Sequence, residues 1–229
     1  FFVSDEMISD GVIRSDNKGS ESLFPLYLYP SAPEGGLLDS TYTERTPNLD
    51  PGLVERLTAA YGRKPSPEEI LYYIYGVFYS NLYREQYAEA LRIDFPRVPF
   101  TRDVNIFNQM AALGKRLADL HLLNSAELDP PTARYQGAGN DDIIMKVVYD
   151  PASGRVGINE HKYFEGIPPE VWNYQIGGYQ VLNKYLKDRK GRRMDDPVRY
   201  VRIATALSKT IAIQKEIDFV YPKVEEDTL

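Results

Sequence analysis

Three groups of residues in this chain have types and spacings that could do chemistry. The first is Asp150 with Glu160-His161-Lys162, an acid at the end of one strand and a Glu-x-Lys on its hairpin partner. Two carboxylates so placed could hold Mg²⁺ while the lysine assists an attacking water. Asp150 also opens the run Asp150-Pro151-Ala152-Ser153-Gly154, where an aspartate is fully explained as a turn former. The second group is Asp129-Pro130-Pro131-Thr132. An acid-Pro-Pro-aromatic run can hold the exocyclic amine of an extruded base and stack a ring on it. Thr132 has no π face, and no Gly-rich strand-turn-helix precedes it, so no base chemistry is expected within this chain. The third group is basic. From Lys184 to Arg202 there are eight Lys/Arg against three Asp, a local charge of +5 in a chain of formal net charge −6. A positive patch on an acidic chain suits an anionic backbone; it also suits a solvated helix face.

The elements that must position these groups can be read from pattern. Phe1-Phe2-Val3, Gly11-Val12-Ile13 and Leu23–Tyr29 read as strands, the last an edge strand because it contains Pro25. Ser15–Ser20 is a polar turn, and residues 30–50 an exposed loop. Asn48 or Asp50 can cap a helix that starts at Pro51 and ends at Gly62. Ser66-Pro67-Glu68-Glu69 has the form of a capping box, followed by Ile70, Leu71, Ile74, Tyr75, Phe78 and Leu82 at helical spacing. Residues 84–93 continue that helix or start another. Asp94–Phe100, with two prolines, must be extended. A third helix is predicted over Val104–Leu123, with His121 as a core or boundary histidine. Ser125–Asn140 reads as a loop, Ile143–Tyr149 as a strand and Arg155–Asn159 as its hairpin partner. After Pro168-Pro169 comes about one helical turn over Glu170–Ile176, a break at Gly177-Gly178, and a short basic helix from Tyr179 through Leu182, Tyr185 and Leu186. The last helix is capped by Asp195 or Asp196 and reaches about Phe219, with an acidic tail.

Composition narrows the classes. Two histidines and no cysteine argue against a His-based metal site, thiolate chemistry and disulfides. No apolar run approaches the roughly 20 residues of a membrane span. Eighteen tyrosines suit both recognition surfaces and cores with a wet edge. The fold expected is α+β, a helical bundle-like core with small antiparallel sheet pieces. One domain is expected over 1–229, with subregions 1–47 (strand and loop), 48–124 (helical) and 125–229 (hairpin plus helices). The opening Phe-Phe-Val suggests a piece of a longer polypeptide.

Four local signatures, in order, carry a resemblance. They are Phe24-Pro25-Leu26-Tyr27-Leu28-Tyr29-Pro30; Tyr73-Ile74-Tyr75-Gly76 with Tyr83-Arg84-Glu85-Gln86-Tyr87 and Asp94–Phe100; Gly114-Lys115-Arg116-Leu117 to Leu120-His121-Leu122-Leu123; and Val171-Trp172-Asn173-Tyr174-Gln175-Ile176-Gly177-Gly178-Tyr179-Gln180-Val181-Leu182 to Leu186-Lys187-Asp188-Arg189. Together they resemble the C-terminal target-recognition region of type ISP (single-polypeptide type I) restriction-modification enzymes and related DNA adenine methyltransferases. Where that pattern often has tryptophan, this chain has Tyr185. The resemblance implies a cytoplasmic, sequence-specific reader of double-stranded DNA that follows an adenine-N6 methyltransferase domain. The parent would use S-adenosylmethionine and carry its nuclease at the other end, and this region would hold no cofactor and catalyse nothing itself. On that reading Lys184, Lys187, Arg189, Arg192 and Arg193 are phosphate ligands. Asn173, Gln175 and Gln180 suit adenine, and Arg155 or Arg189 suits guanine. Trp172 could stack on DNA or anchor helix packing. Asn159, Glu160, His161 and Lys162 could read a groove from the hairpin end. Arg97 could touch a phosphate or be held through its carbonyl. Two rivals are a Mg²⁺-dependent PD-(D/E)xK-like nuclease built on Asp150, Glu160 and Lys162, and a module that docks tyrosine-rich helices on the parent chain.

Overall fold

The computed structural model describes residues 2–6, 22–29 and 45–229. It is a mixed α/β fold in two compact units: Phe1–Ala118 with Glu216–Leu229, and Asp119–Lys215. No described helix is long and apolar enough to cross a membrane. The strands expected at Gly11–Ile13 and the turn at Ser15–Ser20 lie outside the described residues, and Phe2-Val3 is not a strand.

The first unit is helical, and its helix starts follow local chemistry. Helix α1 (Pro51–Tyr61) is capped by Asp50, which accepts from the Leu53 amide, and it stops at Gly62. Helix α2 (Pro67–Tyr79) has the full capping box of Ser66 and Glu69. Ser80 breaks the chain before α3 (Asn81–Gln86); α4 (Ala90–Ile93) follows. Asp218 receives the Ser80 hydroxyl and the Asn81 amide, both at 2.8 Å, which holds that break. Of the segment predicted as a strand at Leu23–Tyr29, only β1 (Tyr27–Leu28) is one, and it pairs with β2 (Thr46–Pro47) inside the predicted loop. Helix α5 (Val104–His121) packs tightly on α2. A Cβ at Gly114 would stand 1.8 Å from the Tyr72 carbonyl oxygen, so only glycine allows this approach. The extended Asp94–Phe100 run is held by tyrosines. Tyr73 Oη donates to the Pro99 carbonyl at 2.7 Å and Tyr83 Oη to that of Arg97 at 2.9 Å. Arg97 is thus fixed through its carbonyl.

The second unit is built on a four-stranded antiparallel sheet: β3 (Arg134–Gly137), β4 (Val148–Asp150), β5 (Arg155–Gly157) and β6 (Lys162–Glu165), in the order β3-β6-β5-β4. Two strands differ from expectation. Strand β3 lies in the predicted loop, and β6 turns the hairpin into a three-stranded meander. The predicted strand Ile143–Tyr149 is cut short because the Met145 and Lys146 amides both donate to the Ile158 carbonyl. Two residues facing one make a bulge, and Ile143 bridges Arg193 instead. One sheet face carries Val156 and Phe164, fully buried among Ile158, Ile167, Leu182, Leu186 and Tyr200. Helix α6 (Pro169–Trp172) is followed by a hairpin of β7 (Gln175–Ile176) and β8 (Tyr179–Gln180). The basic helix α7 (Val181–Lys187) therefore starts later than Tyr179. Helix α8 (Pro197–Glu226) continues through Pro222, past the predicted end.

Candidate nucleic-acid interface

The β7–β8 hairpin turns through Gly177 and Gly178, with φ of +58° and +83°. Two successive positive φ values fit the two-residue turns that match strand twist. A Cβ at either glycine would meet nothing within 4 Å, so the tip stands in open space. Tyr179 is 63% exposed, with the Lys184 ammonium 5.2 Å from its ring centre. Gln175 is exposed on the opposite strand. Gln180 is committed: its Nε2 donates to Asn173 Oδ1 at 3.0 Å, and its Oε1 accepts from Asn183 at 2.9 Å. Of the three amides expected to read adenine, Gln175 is the one left open among the described residues. Trp172, at 7% exposure, stacks on Tyr149 with ring centres 4.8 Å apart; it is a core anchor.

Helix α7 leads into a turn that carries the cations. Lys184 pairs with Asp188 at 2.8 Å, and this carboxylate raises the lysine's pKa. Arg189 lies 3.7 Å over the Tyr185 ring and donates to the Tyr185 carbonyl at 3.0 Å. Arg192 donates to the Asp188 carbonyl. Among the described residues, Lys187 and Lys190 are exposed and have no acidic partner. The turn is tied to the segment before β4: the Gly191 amide donates to the Ile144 carbonyl at 2.8 Å and the Ile144 amide to that of Arg192 at 2.9 Å.

Asp142, which precedes that segment's bridge, is a hub. It accepts from Tyr135 Oη at 2.8 Å and from Arg193 Nη2 at 3.2 Å, with Lys162 Nζ 3.8 Å away. The Tyr135 hydroxyl, then Arg193 and Lys162, hold the Asp142 pKa below its usual value. Lys162 also donates to the Gly137 carbonyl at 3.4 Å, so it is not a free reader. Asn159 is spent on the fold: its amide nitrogen reaches the Asp141 and Ile143 carbonyls, both at 3.0 Å. Its oxygen takes the His161 and Lys162 amides at 2.9 and 2.7 Å. Arg155 sits on the outer sheet face over the Tyr163 ring at 4.5 Å, 3.6 Å from Glu165. Asp142, Asp188, Lys190 and Tyr179 have no place among the residues predicted to read DNA. Lys190 was legible in the basic run, whereas the two acids gain their roles only from partners the fold brings to them.

The catalytic look-alikes come apart. Asp150 accepts from Ser153 Oγ at 2.5 Å and from the Ala152 amide at 3.0 Å, bonds that lower its pKa and make it a turn residue. It pairs with Arg155 at one end of β5, whereas Glu160 follows the other end. The intervening strand separates the carboxylates by roughly 10 Å or more, too far to share one Mg²⁺. No group of three His, Asp or Glu among the described residues could hold a metal. Asp129 pairs with Arg202 at 3.3 Å, and the Thr132 amide donates to Thr205 Oγ1 at 3.0 Å, so that motif is an attachment to α8.

Residues 1–216 match the model of the type ISP C-terminal specificity domain. The chain belongs to that family. This specificity domain is also similar to solved structures. A cryoEM structure of a DrdV–DNA complex matches with a TM-score of 0.62 and 27% identity, over 76% of this chain and 20% of that one. The ATP-dependent type ISP restriction-modification enzyme LlaBIII bound to DNA matches with a TM-score of 0.62 and 22% identity, over 86% and 13%. A nuclease-deletion mutant of the type ISP enzyme LlaGI with a DNA substrate mimic matches with a TM-score of 0.53 and 21% identity, over 68% and 16%. The last two support the fold alone. The specificity domain spans a fifth or less of the length of each of these chains. A search of curated proteins gave no match.

Proposed function

We propose that this specificity domain reads double-stranded DNA by sequence, as one module over residues 1–229 of a restriction-modification polypeptide. The observation that carries the reading is the grouping of Lys187, at the end of α7, with Lys190 and Arg192 on the turn that follows, cations without a carboxylate partner among the described residues; the open-tipped hairpin leads into this helix. Free cations suit phosphates, which fix register without reading sequence. A two-stranded ribbon fits a major groove, and Gln175 has the donor–acceptor pair that matches adenine. Arg155, steadied by Glu165 and Tyr163, is the candidate for guanine. The domain has no catalytic role in this reading. An adenine-N6 methyltransferase domain that uses S-adenosylmethionine would be its neighbour and would close the other side of the duplex.

The test is selection of duplexes from a randomised pool by this chain at low and raised salt, for wild type and for Lys187→Ala with Lys190→Ala. Wild type should enrich one short sequence. The double variant should bind all sequences more weakly, with a salt slope shallower by about two units, while keeping its preference and melting point. A pool that stays unenriched, with both proteins equally indifferent to salt, would remove the reading. The choice of Lys187 with Lys190 follows from partners: Arg189 is packed on Tyr185, so its loss would disturb α7 as well.

A further inference from the structure

The geometry points to Asp142 as a positioning residue that withholds Arg193 from the DNA backbone and so keeps non-specific binding low; the inference rests on the DNA-reading role proposed above. Tyr135, on edge strand β3, is partly buried and its hydroxyl requires an acceptor. An amide oxygen would serve that need as well as a carboxylate. The negative charge is therefore not required by Tyr135. Nor does the charge contribute much to stability through Arg193, whose side chain is 66% exposed, since pairs with an exposed partner are worth only about 0–1 kcal/mol.

What the charge does is hold a cation. Arg193 stands at the end of the basic turn, between Arg192 and the buried Met194, and its backbone bridges Ile143. Its neighbours Lys187 and Lys190 face solvent with no acid, yet its guanidinium is drawn to Asp142 at 3.2 Å. Lys162, the other cation facing Asp142, is only 13% exposed and also bound to the Gly137 carbonyl, so Arg193 is the one that release would set free. Asp141, the adjacent acid, is turned to the Ile143 amide at 3.0 Å. Phosphate contacts supply essentially all non-specific affinity. One cation kept off the backbone therefore lowers the sequence-independent affinity for every duplex alike, and with it the time spent on the many competing non-specific sites.

The experiment uses the enriched duplex and a mixed-sequence duplex of equal length as probes, with affinities read over roughly 50 to 200 mM salt. Asp142→Asn should steepen the salt slope on both duplexes by about one unit and tighten both complexes alike, with a loss of melting temperature no larger than the double variant below shows, since both leave the 13%-exposed Lys162 without its acid. Asp142→Asn with Arg193→Gln should return the slope to that of wild type, and Arg193→Gln alone should leave it unmoved. Asp150→Asn, at the far end of β4, is the control for losing any one negative charge. An unchanged slope in Asp142→Asn overturns the inference, as does steepening that persists without Arg193. Should Asp142→Asn fail to fold, the single Arg193→Gln variant still decides, because a slope shallower by about one unit would mean Arg193 already touches phosphate. If Lys187→Ala with Lys190→Ala also leaves binding untouched, the DNA-reading role itself fails, and the two failures are thereby told apart.

Discussion

The two units solve the same problem, fixing irregular chain, with different chemistry. In the first, tyrosine side chains do most of it, beside the Asp218 carboxylate that holds the break at Ser80. Tyr61, Tyr73 and Tyr83 send their hydroxyls to the carbonyls of Thr101, Pro99 and Arg97. Their rings meanwhile stack with one another's neighbours, Tyr73 lying 4.9 Å from Phe107 and 5.1 Å from Phe100. In the second, carboxylates and amides do most of it, with Tyr149 Oη on the Ile167 carbonyl at 3.0 Å as the exception: Asp142, Asp188 and Asn159 hold cations and backbone around the turns. The two chemistries leave different surfaces for a ligand. Hydroxyl-to-carbonyl bonds consume polar groups internally. An ionic network leaves surplus charge wherever cations outnumber acids, and that surplus falls on Lys187 and Lys190.

The largest loss of stability is expected where the first unit has its closest contact. Gly114→Ala puts a Cβ against the Tyr72 carbonyl, and backbone on both sides cannot give way as a flexible side chain would. The expected loss is about 3 kcal/mol or more, the upper end of overpacking. Gly177→Ala in the second unit is its counterpart. Space there is free, and the cost is only that of a left-handed residue, about 1 kcal/mol. Denaturant melts of the two variants should differ by at least twofold in lost stability; equal losses would mean that α2 and α5 are not packed through Gly114.

The next effect is set by pH. His121 shares a hydrogen bond with Thr210 Oγ1 at 2.9 Å, and burial depresses its pKa from 6.5 to about 4. Above pH 6.5 both folded and unfolded chains hold it neutral, and its contribution is complete. As pH falls toward 4 the unfolded chain takes up a proton that the folded chain refuses, so stability is lost, by at most about 3 kcal/mol. His121→Gln should flatten that part of the stability curve between pH 6.5 and 4. Parallel curves for the two proteins would show that another group titrates there.

How much of this was legible follows from how local each cause is. Asp50-Pro51 and Ser66-Pro67-Glu68-Glu69 announce α1 and α2 because a cap is written in four consecutive residues. The ordered motifs through Trp172 and Gly177-Gly178 carried the family, and the glycine pair marked its turn, since positive φ is a property of the residue itself. Strands β3 and β6 escaped because RYQG and KYFE are too short for period-two alternation to stand out, and β3 depends on a partner more than 20 residues away. The bulge at Met145-Lys146 shortened β4 for the same reason. In the candidate site the residue types were legible and their commitments were not. Asn159, Trp172 and Gln180 have suitable chemistry for DNA, yet the fold spends each on other protein groups.

The smallest expected effect bears most directly on the contrast between the units. Tyr200 lies in the core of the second unit, its ring 4.2 Å from that of Phe164, fully buried, and its hydroxyl has no partner among the described residues. Burial pushes its pKa well above the ordinary tyrosine value. The first unit's buried tyrosines Tyr73 and Tyr83 each have a carbonyl to donate to, so removing their hydroxyls leaves an acceptor unsatisfied. Tyr200 strands nothing when its oxygen goes. Tyr200→Phe should therefore be neutral or stabilising by up to about 1 kcal/mol, whereas Tyr73→Phe should cost about 1–2 kcal/mol. Thermal melts of the two variants decide it. A loss in Tyr200→Phe as large as that in Tyr73→Phe would mean that the Tyr200 hydroxyl is bonded in solution, and that the second unit's core rests on a tyrosine hydroxyl as the first unit's does.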